Sequence, residues 1–145
     1  MNGLALSNKQ PIQIESDSLE IHEQDKRALF DGNVKVVQGK MTLSAAHMIV
    51  YYKGNSGSVT AGKGDIDRIE VKGAVALMSG DQSARGDEGA FDMKSELLTL
   101  KGKQVVLKDG DNISTGCSLR VQMNTGLAKL DSCGGRVKLL ITPKN

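Results

Sequence analysis

Apolar side chains occupy every second position in short segments along almost the whole chain. These segments are Ile12/Ile14, Leu19/Ile21, Val34/Val36, Met41/Leu43/Ala45, Met48/Val50/Tyr52, Ile69/Val71, Val75/Leu77, Leu98/Leu100, Val105/Leu107, Leu119/Val121/Met123, Ala128/Leu130 and Val137/Leu139/Ile141. Alternate side chains of a β-strand point to opposite faces, so the pattern predicts sheets with one apolar and one polar face. Glycines or polar clusters interrupt it about every 8–12 residues, which is typical of an all-β sandwich, barrel or roll.

Two segments, 40–53 and 90–101, are also compatible with a helix. The first contains Ile49, Val50, Tyr51 and Tyr52 in succession, and β-branched and aromatic residues favour strands. The sequence therefore predicts an all-β fold with little or no helix.

Length and composition limit the class of protein. The chain has 145 residues and a formal net charge of +2, which suits one domain. The near-neutral charge and the lack of a Lys/Arg cluster in the sequence argue against nucleic acid as the main partner. Only two Phe, two Tyr and no Trp are present, so the apolar face must be aliphatic.

The sequence contains no recognisable membrane-spanning or targeting segment. No apolar stretch is long enough for a membrane-spanning helix. The first residues lack the features of a signal peptide, and if the protein is exported we expect its signal peptide to have been removed.

A weak internal repeat accompanies the alternation. A small residue is followed by apolar residues at offsets of three and five in Ser16/Leu19/Ile21, Ala46/Ile49/Tyr51 and Gly116/Leu119/Val121, and Gly86/Gly89/Phe91 is a poorer copy. Each copy continues into a returning strand, and the second copy is longer because residues 53–65 form a predicted flexible loop. Stacked hairpins of this kind predict a layered β structure whose end strands stay unpaired.

The two cysteines flank one of these hairpins. A turn centred on Thr125 places Cys117 opposite Cys133 and Gly116 opposite Gly134; similar centres pair Ser16 with Gly32 and Gly86 with Gly102. Opposed residues of an antiparallel pair are close enough for a disulfide. The sequence therefore predicts a Cys117–Cys133 disulfide and an oxidising compartment such as the bacterial periplasm. The alternative is two reduced, buried thiols.

No group of residues indicates catalysis, a metal or a cofactor. His22 and His47 are the only histidines, and two cysteines alone do not complete a structural zinc site. The carboxylate pairs Glu15/Asp17 and Asp87/Glu88 are typical of a solvated face or a turn. The sequence predicts that the chain is not an enzyme and has no cofactor.

Three segments of the first half resemble the OstA-like family. They are Gln10-Pro11-Ile12-Gln13-Ile14-Glu15-Ser16-Asp17, Phe30-Asp31-Gly32-Asn33-Val34-Lys35-Val36-Val37-Gln38-Gly39 and Leu43-Ser44-Ala45-Ala46-His47-Met48. The similarity runs from about residue 10 to about residue 142. It predicts one domain over 10–142, preceded by a flexible segment over 1–9 and followed by a tail over 143–145.

The resemblance implies an antiparallel β-jelly-roll that is slightly twisted and open along one side. It also implies a periplasmic carrier that holds lipopolysaccharide acyl chains in an apolar groove. Copies would join end to end through their terminal strands, near Ile12–Glu15 and Val137–Ile141, and connect inner- and outer-membrane components of the transport system. The alternative is a structural OstA-like module that docks membrane partners without binding lipid.

Seven residues are candidates for lipid contact. Ile12, Ile14, Phe91 and Met93 match inward-facing positions of the family. Alternation alone adds Val34, Val36 and Leu43. For all of them, ordinary sheet core is the competing interpretation.

Overall fold

The protein is described from a computed structural model that covers Leu4, Leu6 and residues 10–53 and 66–143. Across these residues the chain forms ten strands and no α-helix. The strands are β1 (Gln13–Glu15), β2 (Ser18–His22), β3 (Arg27–Gln38), β4 (Met41–Tyr52), β5 (Ile66–Ser79), β6 (Gln82–Asp92), β7 (Leu97–Asp109), β8 (Asn112–Gln122), β9 (Leu127–Asp131) and β10 (Lys138–Leu140).

All strands belong to one antiparallel sheet in which β3 to β8 follow each other in chain order. The short strands β1 and β2 share the free side of β3, and β9 and β10 share the free side of β8. Among the described residues the two ends of the sheet do not pair with each other. The sheet is therefore open, as the sequence predicted.

The strand register aligns the apolar side chains into rows that cross the sheet. One row contains Leu19, Phe30, Met48, Val71, Gly89, Leu100, Leu119 and Leu130. The next contains Ile21, Ala28, Val50, Ile69, Phe91, Leu98, Val121 and Ala128. A third, in the other half of the strands, contains Ile14, Val36, Leu43, Leu77, Ala84, Leu107, Ser114 and Leu139. We call this side of the sheet the inward face.

Irregularities in the pairing bend the sheet along one line. The register shifts between Asp31 and Val34 in β3, and again at the same level in every pair from β4–β5 to β7–β8. Bulges increase strand bending and twist. Gly73 shows how tight the bend is: its φ is +85°, and a Cβ there would lie 2.6 Å from Cβ of Ala46.

The bend lets the two halves of the sheet cover each other. No helix of the described chain covers the inward face, yet its side chains in the central strands are buried in one hydrophobic cluster. Since no helix in the described part of the chain shields these side chains from water, they are buried because the sheet folds back over its own apolar face. The result is the predicted open jelly-roll, with a mostly aliphatic interior that also contains Phe30 and Phe91.

The register of the hairpins differs from the predicted one by one residue. Ser18 pairs with Asp31, and Ser118 pairs with Asp131, so Cys117 is level with Ser132 and not with Cys133. The predicted pairings of Ser16 with Gly32 and of Gly86 with Gly102 are wrong in the same way. Each turn has four residues, 23–26, 93–96 and 123–126, so its centre falls between two residues.

The second copy of the repeat is also displaced by one position. Met48 and Val50 face inward, whereas Ile49 and Tyr51 lie on the opposite face. The copy therefore begins at Ala45 and not at Ala46. Because β4 has apolar residues on both faces, the repeat pattern did not show which set of alternate residues points inward.

Two predicted segments lie wholly or largely outside the described residues. The loop predicted over 53–65 is described only at Lys53. Of the segment 1–9, only Leu4 and Leu6 are described, and both are buried with the hydrophobic core.

The carboxylate of Asp92 caps the turn at residues 93–96. Its Oδ1 accepts hydrogen bonds from the backbone N–H of Ser95 at 3.1 Å and of Lys94 at 3.0 Å. These hydrogen bonds hold the pKa of Asp92 below its ordinary value of 3.8, and the bond from Ser95 has the largest effect. This stabilisation is complete above the ordinary pKa and is lost as the pH falls through the pKa of the folded state.

We therefore expect Asp92→Asn to reduce the loss of stability in acid. Urea midpoints measured at about pH 6 and about pH 3 should differ less in this variant than in the wild type. Asp109→Asn, at an exposed strand end, serves as the control. The same pH dependence in both variants would contradict the role of Asp92.

Candidate functional site

The predicted lipid-contacting residues lie on or beside the inward face. Ile14, Val36 and Leu43 are consecutive members of one row. Phe91 lies in the other half of the sheet, between Ile69 and Leu98 on the neighbouring strands. The structure therefore brings part of the predicted set together and places Phe91 across the bend.

Four of these residues belong to the buried core. Val34, Val36, Leu43 and Phe91 are each 1% exposed or less, which fits the competing interpretation that they close the sheet. Their contact with lipid stays a prediction. The remaining three, Ile12, Ile14 and Met93, are partly buried and pack against the core from its periphery.

Inward-facing apolar side chains become accessible towards the two ends of the sheet. At the N-terminal end, Leu19 is exposed and Ile21 is partly buried. We call Ile12, Ile14, Leu19 and Ile21 the N-terminal margin. At the C-terminal end, we call Leu107, Leu130 and Leu139 the C-terminal margin; Leu139 is 60% exposed.

Sequence reasoning missed five of these margin residues as site candidates. They are Leu19, Ile21, Leu107, Leu130 and Leu139. Alternation identified each as apolar, but it does not separate a side chain at an edge from one in the middle of the sheet. The available signal was nearness to the chain ends, because end strands leave neighbouring inward side chains uncovered.

The opposite face of the sheet is mostly polar and carries charges of both signs. One row across it contains Asp31, His47, Lys72, Glu88, Lys101, Ser118 and Asp131. His47 Nδ1 contacts Asp31 Oδ1. Glu88 lies between Lys72 and Lys101 on the neighbouring strands, and unlike charges opposite each other stabilise such strands. A hollow of about 390 Å³ on this face is lined by both Lys72 and Glu88, so it does not select a ligand of one charge.

The described residues do not suggest catalytic or metal chemistry. Within them, no group of three or more His, Cys, Asp or Glu side chains is arranged to hold a metal ion. Nor does the chain over 10–53 and 66–143 contain a helix long and apolar enough to cross a membrane.

Comparison with known families identifies the chain. Residues 13–127 match the family described as LptA/(LptD N-terminal domain) LPS transport protein. The chain belongs to this family. The membership confirms the resemblance found in the sequence and, since the family consists of transport proteins, the conclusion that the chain is not an enzyme.

The chain is also similar to individual proteins. An uncharacterized protein of Rhizobium meliloti (strain 1021) is 55% identical over 145 residues, which cover 100% of this chain and 78% of that protein. The LPS-assembly protein LptD of Nitrosomonas eutropha is 28% identical over 113 residues, or 78% of this chain and 14% of that protein.

A solved structure confirms the fold. The crystal structure of LptH from Pseudomonas aeruginosa, the LptA-homologous periplasmic component of the lipopolysaccharide transport device, superimposes with a TM-score of 0.76. The match has 18% sequence identity and covers 94% of this chain and 98% of that one.

Proposed function

We propose that this protein is a periplasmic carrier that holds the acyl chains of lipopolysaccharide on its inward apolar face and joins end to end with further copies. The observation that carries the proposal is that the inward face stays apolar up to both open ends of the sheet. The family, the fold and a disulfide, which persists in oxidising compartments, support the same assignment.

Physical chemistry explains why such a carrier has this form. Moving an acyl chain of about 12 carbons into water costs roughly 10 kcal/mol, at about 0.8 kcal/mol per CH₂. The carrier must replace the membrane with an aliphatic surface of comparable length. An open roll provides it while the sugar headgroup stays in water, because the headgroup never has to enter a closed cavity.

The buried interior supports entry of lipid at the ends of the sheet. Side chains of the central strands already cover each other, and Leu4 and Leu6 occupy part of the interior. The two margins are the inward surfaces that an acyl chain reaches without opening this core. We therefore place the first contacts with lipid at the margins, and contact with Phe91 after the two halves of the sheet separate.

The ends of the sheet suit end-to-end association. The outer sides of β1 and β2, and of β9 and β10, have no strand partner among the described residues. Unpaired strand edges are templates for another chain. Pairing of one end with the opposite end of the next copy would continue the inward face from molecule to molecule, towards membrane components of the transport system.

The buried interior also favours a second candidate. A module that docks membrane partners through its edges would need no space for lipid inside. It would associate with further copies but would leave lipopolysaccharide unbound.

Photo-crosslinking distinguishes the two functions. A photoreactive amino acid at Ile21 or at Leu139 should capture lipopolysaccharide, because both positions lie at accessible ends of the inward face. The matched controls are Glu20 and Leu140, the adjacent residues on the opposite face. Capture from neither inward position, in folded protein that still associates, would favour the docking module, and equal capture from both faces would contradict a binding site on the inward face.

A further inference from the structure

In three hairpins, a hydrogen bond or a disulfide connects the two arms of the hairpin at the line of bulges. We call such a connection a clasp. In the first, Asn33 Nδ2 donates a hydrogen bond to Asp17 Oδ2 at 2.8 Å. In the second, the backbone N–H of Lys103 donates to Asp87 Oδ2 at 3.0 Å. The strand register makes Asp17 and Asp87 equivalent, and Cys117 takes their place in the last hairpin.

Cys133 occupies the position that corresponds to Asn33. Both follow the residue opposite the clasp position, and both have a left-handed backbone, with φ of +53° and +49°. The Cα atoms of Cys117 and Cys133 lie 5.9 Å apart, joined by a disulfide. The last hairpin thus closes covalently where the first closes with a hydrogen bond.

The segment that follows the disulfide leads to a weakly held edge strand. Residues 132–137 connect β9 to β10 and include Gly134 and Gly135. All three side chains of β10 are exposed, so burial does not fix the strand. Its far end is anchored where the backbone N–H of Thr142 donates to Asn112 Oδ1 at 2.9 Å.

The N-terminal edge is built more tightly. Only Ser16 and Asp17 separate β1 from β2, and the backbone N–H of Asp17 donates to the carbonyl oxygen of Gly32 at 2.8 Å. The longer connection at the C-terminal end is anchored at its start by the disulfide.

We propose that the Cys117–Cys133 disulfide positions β10 as the edge that pairs with the N-terminal edge of a second copy, so that end-to-end association depends on oxidation of this pair. This inference rests on the proposed function. Reduction by dithiothreitol breaks the S–S bond with two electrons and two protons, leaves two thiols and converts the reagent to its cyclic disulfide. It releases the start of the connection while the rest of the sheet keeps its hydrogen bonds.

Two double variants test the proposal. Cys117→Ser with Cys133→Ser removes the clasp, whereas Cys117→Asp with Cys133→Asn copies the hydrogen-bonded clasp of Asp17 and Asn33. Light scattering against protein concentration should show association weakened about tenfold in the serine variant, or about 1.4 kcal/mol, and partly restored in the Asp/Asn variant. Dithiothreitol should weaken association of the wild type and leave the serine variant unchanged.

Hydrogen exchange gives an independent readout. Residues 138–140 should exchange faster without the disulfide, whereas the centres of β5 and β6 should keep their protection. This measurement, together with reduction of the folded wild type, applies even if the serine variant folds poorly.

The outcomes separate this proposal from the proposed function. Equal association of the oxidised wild type and the serine variant would overturn the role of the disulfide alone. An oxidised wild type that remains monomeric at all concentrations would overturn end-to-end association as well.

Discussion

Replacing Phe91 with Ala should lower the free energy of unfolding by about 3–5 kcal/mol. The side chain is 0% exposed and lies between Ile69 and Leu98 on the neighbouring strands. Loss of the ring removes buried apolar area and leaves a cavity in the folded interior. Urea denaturation followed by circular dichroism measures the change.

A pair of identical substitutions controls for the loss of side-chain volume. Leu98→Ala, on the inward face and buried, should cost about 2–5 kcal/mol. Leu127→Ala, 72% exposed, should cost less than about 0.5 kcal/mol. A cost below about 1 kcal/mol for Phe91→Ala would mean that the interior is not packed in the absence of lipid.

Leu139→Asp should weaken binding of lipopolysaccharide by at least about tenfold, or about 1.4 kcal/mol. Leu139 faces inward at the C-terminal margin, where a carboxylate would either lose water against an acyl chain or keep the chain away. The fold should remain intact, because this side chain is 60% exposed. Titration with a fluorescent lipopolysaccharide measures the affinity.

The adjacent residue provides a close control. Leu140 is 61% exposed and lies on the opposite face of the same strand. Leu140→Asp has the same change in charge and should alter affinity less than about twofold, or about 0.4 kcal/mol. Equal losses in the two variants would show that the site is the edge strand itself and not the inward face.

The sequence predicted the fold class because strand periodicity records which face is buried. Alternation gives each strand one apolar face, and burial brings these faces to the same side of the sheet. The structure has Ile14, Val36 and Leu43 in one row on that side. The terminal strands were also predicted near their observed positions, β1 and β10. Family resemblance added the openness of the roll, which alternation does not contain.

The exact register was beyond the sequence for a physical reason. A bulge places two residues of one strand opposite one residue of its partner, and amino-acid composition does not reveal where this happens. A shift of one position exchanges the two faces of a strand. In β4, Met48 and Ile49 are both apolar, so the pattern did not show which faces inward. At the last hairpin, the left-handed backbone of Cys133 brings the thiol to Cys117 despite the shifted register.

The sequence predicted that the candidate site is an inward-facing apolar surface, but it did not predict which residues of that surface are accessible. Inward parity follows from sequence, but exposure depends on whether a neighbouring strand covers the side chain. Val34 and Leu43 therefore became core, whereas Leu19 and Leu139 became accessible at the ends of the sheet. The same aliphatic face thus stabilises the centre of the roll and, at its margins, provides the surface proposed for lipid.

Methyl NMR with a lipopolysaccharide that carries a nitroxide on an acyl chain distinguishes binding on the inward face from binding elsewhere. We expect the paramagnetic label to broaden the methyl signals of Ile14, Ile21 and Leu139. The signals of Ile49, Ile113 and Leu140, on the opposite face, should stay unchanged. Broadening confined to the opposite face, or equal on both faces, would contradict a carrier that shelters acyl chains on its inward side.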